Sequence, residues 1–193
     1  MDHDVTVRGH GYALRPVGFD DAALIVALRS EGGPYINRGA RTEEEQRAWL
    51  ARYLEREGDY YFVAERLLDG SAEGLAAIYD VDSGARRAEW GRFVVRQGAN
   101  AAIETALLVY RCAFEMLALE SLVCRTLAAN AQVVAFHDSC GLVRASAEVE
   151  VMHDGIPVRA VEHWLHRGGW PAVEAKLEPV AQRLAARMTR QHI

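Results

Sequence analysis

The passage Val94-Val95-Arg96-Gln97-Gly98-Ala99-Asn100-Ala101-Ala102-Ile103-Glu104 constrains this chain most. It leaves an apolar strand, crosses a short loop of mostly small side chains and enters a helix. That helix carries apolar residues at Ile103, Ala106, Leu107, Tyr110, Phe114 and Leu117, one face at helical spacing. The first turn of a helix has backbone N–H groups without intrahelical partners, and its dipole favours an anion. Small side chains in the loop leave those donors bare. The passage therefore has the chemistry of a phosphate or pyrophosphate site. An ordinary strand-to-helix turn has a similar local sequence, and the loop alone does not separate the two readings.

The flanking pattern predicts the rest of the framework. Tyr12–Val17 alternates as a strand, and Asp20 or Asp21 can cap the helix that follows. Ser30 to Ala40 is rich in breakers and reads as a loop. Thr42-Glu43-Glu44-Glu45 is a capping box, so a second helix starts there and stops by Gly58. Strand signals at Tyr60–Leu67, Leu75–Val81 and Arg87–Val95, joined by short turns, predict an antiparallel meander. Beyond the central helix, Leu122–Leu127 is a short strand expected to run parallel to the one before it. Asn130 caps a short helix that Gly141 ends. A hairpin turning at Asp154-Gly155 and a last helix from about Trp170 to Met188 complete one mixed α/β domain, residues 1–193. Val173, Leu177, Val180, Leu184 and Met188 give the last helix an apolar face, to pack on its own domain or on a second copy in a homodimer.

Composition removes several function classes. The 193 residues suffice for one sizeable core, and the formal charge of −5 gives no electrostatic case for a nucleic-acid partner. Cys112, Cys124 and Cys140 have neither paired nor metal-ligand spacing, so no metal is expected. The N-terminus lacks the pattern of a secretory signal, and no apolar run is long enough for a membrane span. The expectation is a cytoplasmic protein.

With the elements in this order, the chain resembles the GNAT superfamily of acyl-CoA-dependent N-acyltransferases over nearly its whole length. Two motifs carry the resemblance. One is the loop Gln97-Gly98-Ala99-Asn100-Ala101-Ala102 before the central helix, where Asn100 replaces a favoured glycine; Asn tolerates positive φ better than most residues. The other is Asn130 capping a short helix that continues to His137-Asp138-Ser139-Cys140-Gly141-Leu142. The resemblance implies a central twisted mixed sheet of about seven strands with helices on both faces. It implies acetyl-CoA as cofactor, with the pyrophosphate on the N–H groups of Gly98 to Ala102 and Arg96 as charge partner. The pantetheine arm would run beside Phe93, Val94 and Val95, in a split between two strands, and Asn130 belongs to the same cofactor site.

Acetyl transfer to an amine needs a base, a stabiliser for the carbonyl oxygen and a proton for the departing thiolate. A backbone N–H near Val94 can serve the oxygen. His137 stands where relatives commonly have a tyrosine acid, and imidazolium can donate a proton near neutrality. Glu89 is the first candidate base; a strand carboxylate paired to Arg87 or Arg92 is the other reading of it. His163 is a second candidate, and water a third. Tyr35, Tyr61 and Trp90 can stack on a sugar or nucleobase, and Arg38 can meet a phosphate. The expected partner is a small-molecule amine, a nucleotide-linked amino sugar. The alternatives are a protein N-terminus, as for ribosomal-protein acetyltransferases, and a CoA-binding domain without catalysis.

Overall fold

The computed structural model describes residues 3–190. Its sheet begins with β1 (Val7–Arg8) folded back on β2 (Tyr12–Pro16), an antiparallel pair too short in its first strand to show a sequence period. The Gly9–Gly11 turn between them is held from beneath. The buried carboxylate of Glu104 accepts from the backbone N–H of His10 and, at 3.0 Å, from that of Gly11. Such donors offset the cost of burying a charge.

Next come α1 (Ala22–Glu31) and α2 (Glu43–Tyr53). Asp21 sits at the N-cap of α1, but its carboxylate bonds Arg15 at 2.8 and 2.9 Å and the N–H of Gly18 at 2.8 Å rather than the helix. Thr42 caps α2 as expected, its hydroxyl accepting from the N–H of Glu45 at 3.2 Å. Then β3 (Tyr60–Arg66), β4 (Ala72–Asp82) and β5 (Arg87–Val95) form the predicted meander. The loop residues Arg96–Asn100 lead into α3 (Ala101–Arg111), which is extended by a π-helical turn over Cys112–Met116. The chain continues through β6 (Ser121–Leu127), α4 (Ala131–Cys140), β7 (Val143–Arg144), β8 (Val149–His153), β9 (Ile156–His166) and α5 (Trp170–Arg190). Gly141 ends α4 in the left-handed conformation, φ +93°.

The described residues form one nine-stranded sheet in the order β1-β2-β3-β4-β5-β6-β9-β7, with β8 also on β9. The two strands beyond the expected seven are the two-residue β1 and β7. Side chains alternate across the sheet, and both faces are covered. Tyr61, Val63, Leu75 and Ala77 pack under α1 and α2. Phe62, Ala64, Ala76 and Ile78 pack against α3 and α5, whose buried face is Val173, Leu177, Ala181, Ala185 and Met188. The last helix thus packs on its own domain.

The pair β5–β6 is parallel, as expected of a crossover. Its ladder covers only Arg87–Glu89 against Ser121–Val123. Beyond Glu89 the two strands diverge, and the sheet is split.

Candidate active site

A cleft of about 400 Å³ opens at this split. Its walls include Glu89 to Val94 of β5, Cys124 to Leu127 of β6, Asn130 and His137 of α4, Tyr35 to Asn37 of the α1–α2 loop, and Val151 to His153 of β8. Of the residues singled out from sequence, the cleft gathers Glu89, His137, Phe93, Val94, Asn130, Tyr35, Tyr61 and Trp90. Arg38 and His163 do not line it, and Val95 to Ala102 lie along the strand end and loop beyond it.

The loop keeps its backbone open. Gly98 adopts φ +82°, and a Cβ placed there would meet nothing within 4 Å. Asn100 is at φ −90°, so the strained position falls on Gly98, and Asn in place of glycine at 100 needs no positive φ. Asn100 makes no side-chain cap to α3, which leaves the first-turn N–H groups without a side-chain acceptor. Gln97, Gly98, Asn100 and Ala102 are exposed, Ala99 half-buried and Ala101 buried. Arg96 pairs with Glu31 at 3.3 Å on an exposed surface. Asn130 caps α4, its Oδ1 accepting from the N–H of Val133 at 3.4 Å.

Glu89 lies at the end of the paired segment, where the split begins. Its Oε1 accepts from the Tyr79 hydroxyl at 2.7 Å, and its Oε2 accepts from Arg125. Neither Arg87 nor Arg92 is its partner: Arg87 pairs with Asp82 and Arg92 with Asp59. Burial raises the carboxyl pKa above its ordinary value, against the lowering effect of Tyr79 and Arg125. A partly buried carboxylate with a raised pKa, in a cleft, is a suitable base.

Just past Glu89, β5 carries a bulge. Leu75 pairs with Val94 and Ala77 with Gly91, so Arg92 and Phe93 together face Ala76. Arg92 takes φ +49° there. Bulges bend a strand and re-aim its side chains. The Arg92 guanidinium sits among four rings, 4.4 Å from the Tyr79 centroid, 4.9 Å from Tyr53 and 5.8 Å from Trp49 and Tyr61. It donates to the Tyr53 hydroxyl at 3.0 Å. Tyr61 is 2 % exposed and Trp90 4 %, so both are buried parts of the cleft wall.

His137 is 3 % exposed and boxed by Trp90, Phe136 and His163, with ring centroids 5.8, 5.3 and 5.3 Å away. Burial, reinforced by His163, pushes its pKa down to about 4. At neutral pH it is imidazole, not the imidazolium expected from its ordinary value. His163 lies behind it, fully buried, with Nε2 2.9 Å from Asp138 Oδ1.

The far end of the cleft is bridged. Asn37 Oδ1 accepts from the N–H of Asp154 at 2.8 Å, and Asp154 Oδ1 accepts from the N–H of Arg38 at 2.8 Å. His153 Nε2 meets the Pro34 carbonyl at 3.0 Å, and the Tyr35 hydroxyl donates to the Ala129 carbonyl at 3.1 Å. The α1–α2 loop is thereby tied to the β8–β9 turn. The Arg38 side chain itself is 79 % exposed, with Nε 3.9 Å from Asp154 Oδ2.

Sequence reasoning missed Tyr79, Arg29, Arg92 and Arg125. An arginine inside the apolar β6 strand and a glycine inside β5 were the available signals. Three arginines, Arg29, Arg92 and Arg125, line the cleft against one carboxylate, Glu89. Among the described residues no cluster of His, Cys, Asp or Glu could hold a metal ion, and no helix is long and apolar enough to cross a membrane.

A family model described as an acetyltransferase (GNAT) domain matches residues 12–143. A search of curated proteins gives no match. Among solved structures, apo FdhC, described as a nucleotide-linked sugar GNAT, is similar at a TM-score of 0.77 and 24% identity, over 90% of this chain and 97% of that one. A spermidine N-acetyltransferase SpeG chimera from Vibrio cholerae and hSSAT gives 0.74 and 17%, over 83% and 98%. A GCN5-related N-acetyltransferase from Brucella melitensis gives 0.77 and 14%, over 92% and 85%. At these identities the likeness is one of fold.

Proposed function

The chain belongs to the GNAT family of acetyltransferases, and on that premise we propose that it transfers an acetyl group from acetyl-CoA to the amine of a nucleotide-linked amino sugar. The observation that carries the acceptor class is the lining of the cleft: Arg29, Arg92 and Arg125 reach it, Glu89 is the one carboxylate among the lining residues, and Asp59 and Glu162, which pair with Arg92 and Arg125, lie outside the lining. Complementary charge favours an acceptor with phosphates, and like charge disfavours a polycation such as spermidine. The tie between the α1–α2 loop and the β8–β9 turn closes the open groove that an extended polypeptide would need. The description of FdhC as a nucleotide-linked sugar GNAT agrees with this reading.

The donor side fits acetyl-CoA. Open space above Gly98 and uncapped N–H groups at the start of α3 suit a pyrophosphate, with Ala99 to Ala102 around it. The unpaired edge of β5 from Phe93 to Val95 suits amide groups of an extended arm. Acetyl-CoA supplies an activated acyl group with a good leaving thiolate. Glu89 takes a proton from the acceptor nitrogen so that its lone pair can attack. The backbone N–H near Val94 stabilises charge on the carbonyl oxygen. His137, as neutral imidazole, can offer an N–H to the leaving sulfur.

Calorimetric titration with acetyl-CoA, followed by a thiol-release assay, tests the reading. We expect saturable binding and faster release with UDP-glucosamine than with spermidine or an N-terminal peptide. Preference for spermidine would overturn the acceptor class. No binding at millimolar acetyl-CoA would overturn the donor site.

A further inference from the structure

The strands β4 and β5 slip out of regular register twice. At one end Asp80 and Val81 face a single residue, and at the other Arg92 and Phe93 do. Three regular pairs remain between the slips: Ala77 with Gly91, Ile78 with Trp90, and Tyr79 with Glu89. Directly opposite side chains on one face meet, and diagonal ones lie within reach of a ring. Tyr79 and Glu89 are opposites, and Gly91 is the diagonal neighbour of Tyr79.

The Tyr79 hydroxyl donates to Glu89 Oε1 at 2.7 Å. A Cβ at Gly91 would lie 2.7 Å from that same hydroxyl oxygen. The guanidinium of Arg92, 4.4 Å from the ring centroid, holds the ring against this slot. Arg92 is itself fixed by the Tyr53 hydroxyl.

We propose that Tyr79 is a positioning residue for Glu89, setting the rotation of its carboxylate through a hydroxyl that only a glycine at position 91 admits. The proposal rests on the reading of Glu89 as the base. One carboxylate oxygen is oriented by Tyr79 and the other by Arg125, so the remaining lone pairs serve the acceptor nitrogen. The other titratable or charged groups around Glu89 are Asp80 on β4, Cys124 on β6 and Glu162 on β9. The hydroxyl also favours the charged carboxylate, so its removal leaves Arg125 alone to oppose burial, Asp80 and Glu162, and the titration rises further.

The test follows the Glu89 carboxyl directly, by ¹³C NMR titration of protein labelled at glutamate carboxyls, with Glu89→Gln to identify the resonance. Tyr79→Phe keeps the ring against Arg92 and removes only the hydroxyl. We expect its Glu89 titration to move upward by about one pH unit. Gly91→Ala displaces the hydroxyl without removing it, and we expect a shift in the same direction. An unchanged titration in Tyr79→Phe overturns the positioning role, and an unchanged one in Gly91→Ala overturns the role of the slot. In thiol release with UDP-glucosamine, full activity of Glu89→Gln would instead overturn Glu89 as the base, whatever Tyr79 does.

Discussion

The proposed donor half and acceptor half of the site are built in opposite ways. Apart from Asn130, the residues assigned to the donor lie in one run, Phe93 to Ala102, shaped by a strand end, one glycine and a helix start. The acceptor half draws Tyr35, Asn37, Tyr79, Arg92, Arg125 and His153 from the α1–α2 loop and from four strands. The first half is specified by local stereochemistry. The second exists only after the strands have found their order. A donor site of this kind can serve many acceptors, because specificity lies in a half that can change residue by residue.

Glu89→Gln gives the sharpest separation of the halves. It removes the proposed base and leaves the loop untouched, so kcat/KM is expected to fall roughly 10²–10⁴-fold. Calorimetric affinity for acetyl-CoA should stay the same; a parallel loss of affinity would merge the two halves.

His137 stands at their seam and gives a pH signature. Its pKa is depressed from 6.5 to about 4, so the folded chain binds fewer protons than the unfolded one in that window. Stability is therefore full above about pH 6.5 and lost as pH falls toward 4. The loss is of order 3 kcal/mol. In urea unfolding at several pH values, His137→Phe should flatten this slope, and a slope left unchanged would assign it to other groups.

Gly98→Val acts on the donor half alone. At φ +82° a β-branched residue is strained by about 1–2 kcal/mol. Acetyl-CoA affinity is expected to fall about tenfold with the acceptor KM unchanged. The smallest effect is at the bridge. Asn37→Ala removes one exposed hydrogen bond to the Asp154 N–H, and the acceptor KM is expected to rise roughly threefold. Arg38→Ala removes only a long, largely exposed ion pair to Asp154, 3.9 Å, and should leave KM where it is.

Legibility in the sequence follows the same division. The meander, the crossover, the Thr42 and Asn130 caps and the Gly141 stop were readable because each signal spans a few residues. Asn100 misled because Gly98, two positions earlier, carries the positive φ. Asp21 was readable as an N-cap residue, but a distant Arg15 claims its carboxylate. Arg38 was chosen as the loop's cation, yet Arg92, from inside a strand, reaches the cleft through a bulge that no residue pattern marks. The partnership of Tyr79 with Glu89 depends on register, which is a property of two strands rather than of either sequence. Only Gly91, a glycine within a strand, hinted at a close approach there.

With three paired residues, β5 and β6 scarcely hold each other. The antiparallel neighbours β3–β4–β5 and β8–β9 close through short turns, at small loop entropy. The crossover must close a loop containing all of α3 before its first backbone bond forms. Three parallel pairs return little for that ordering. The buried face of α3, with Leu107 and Tyr110 fully enclosed, supplies the adhesion instead. Joining the two half-sheets is thus a docking of side chains rather than a zippering of backbone.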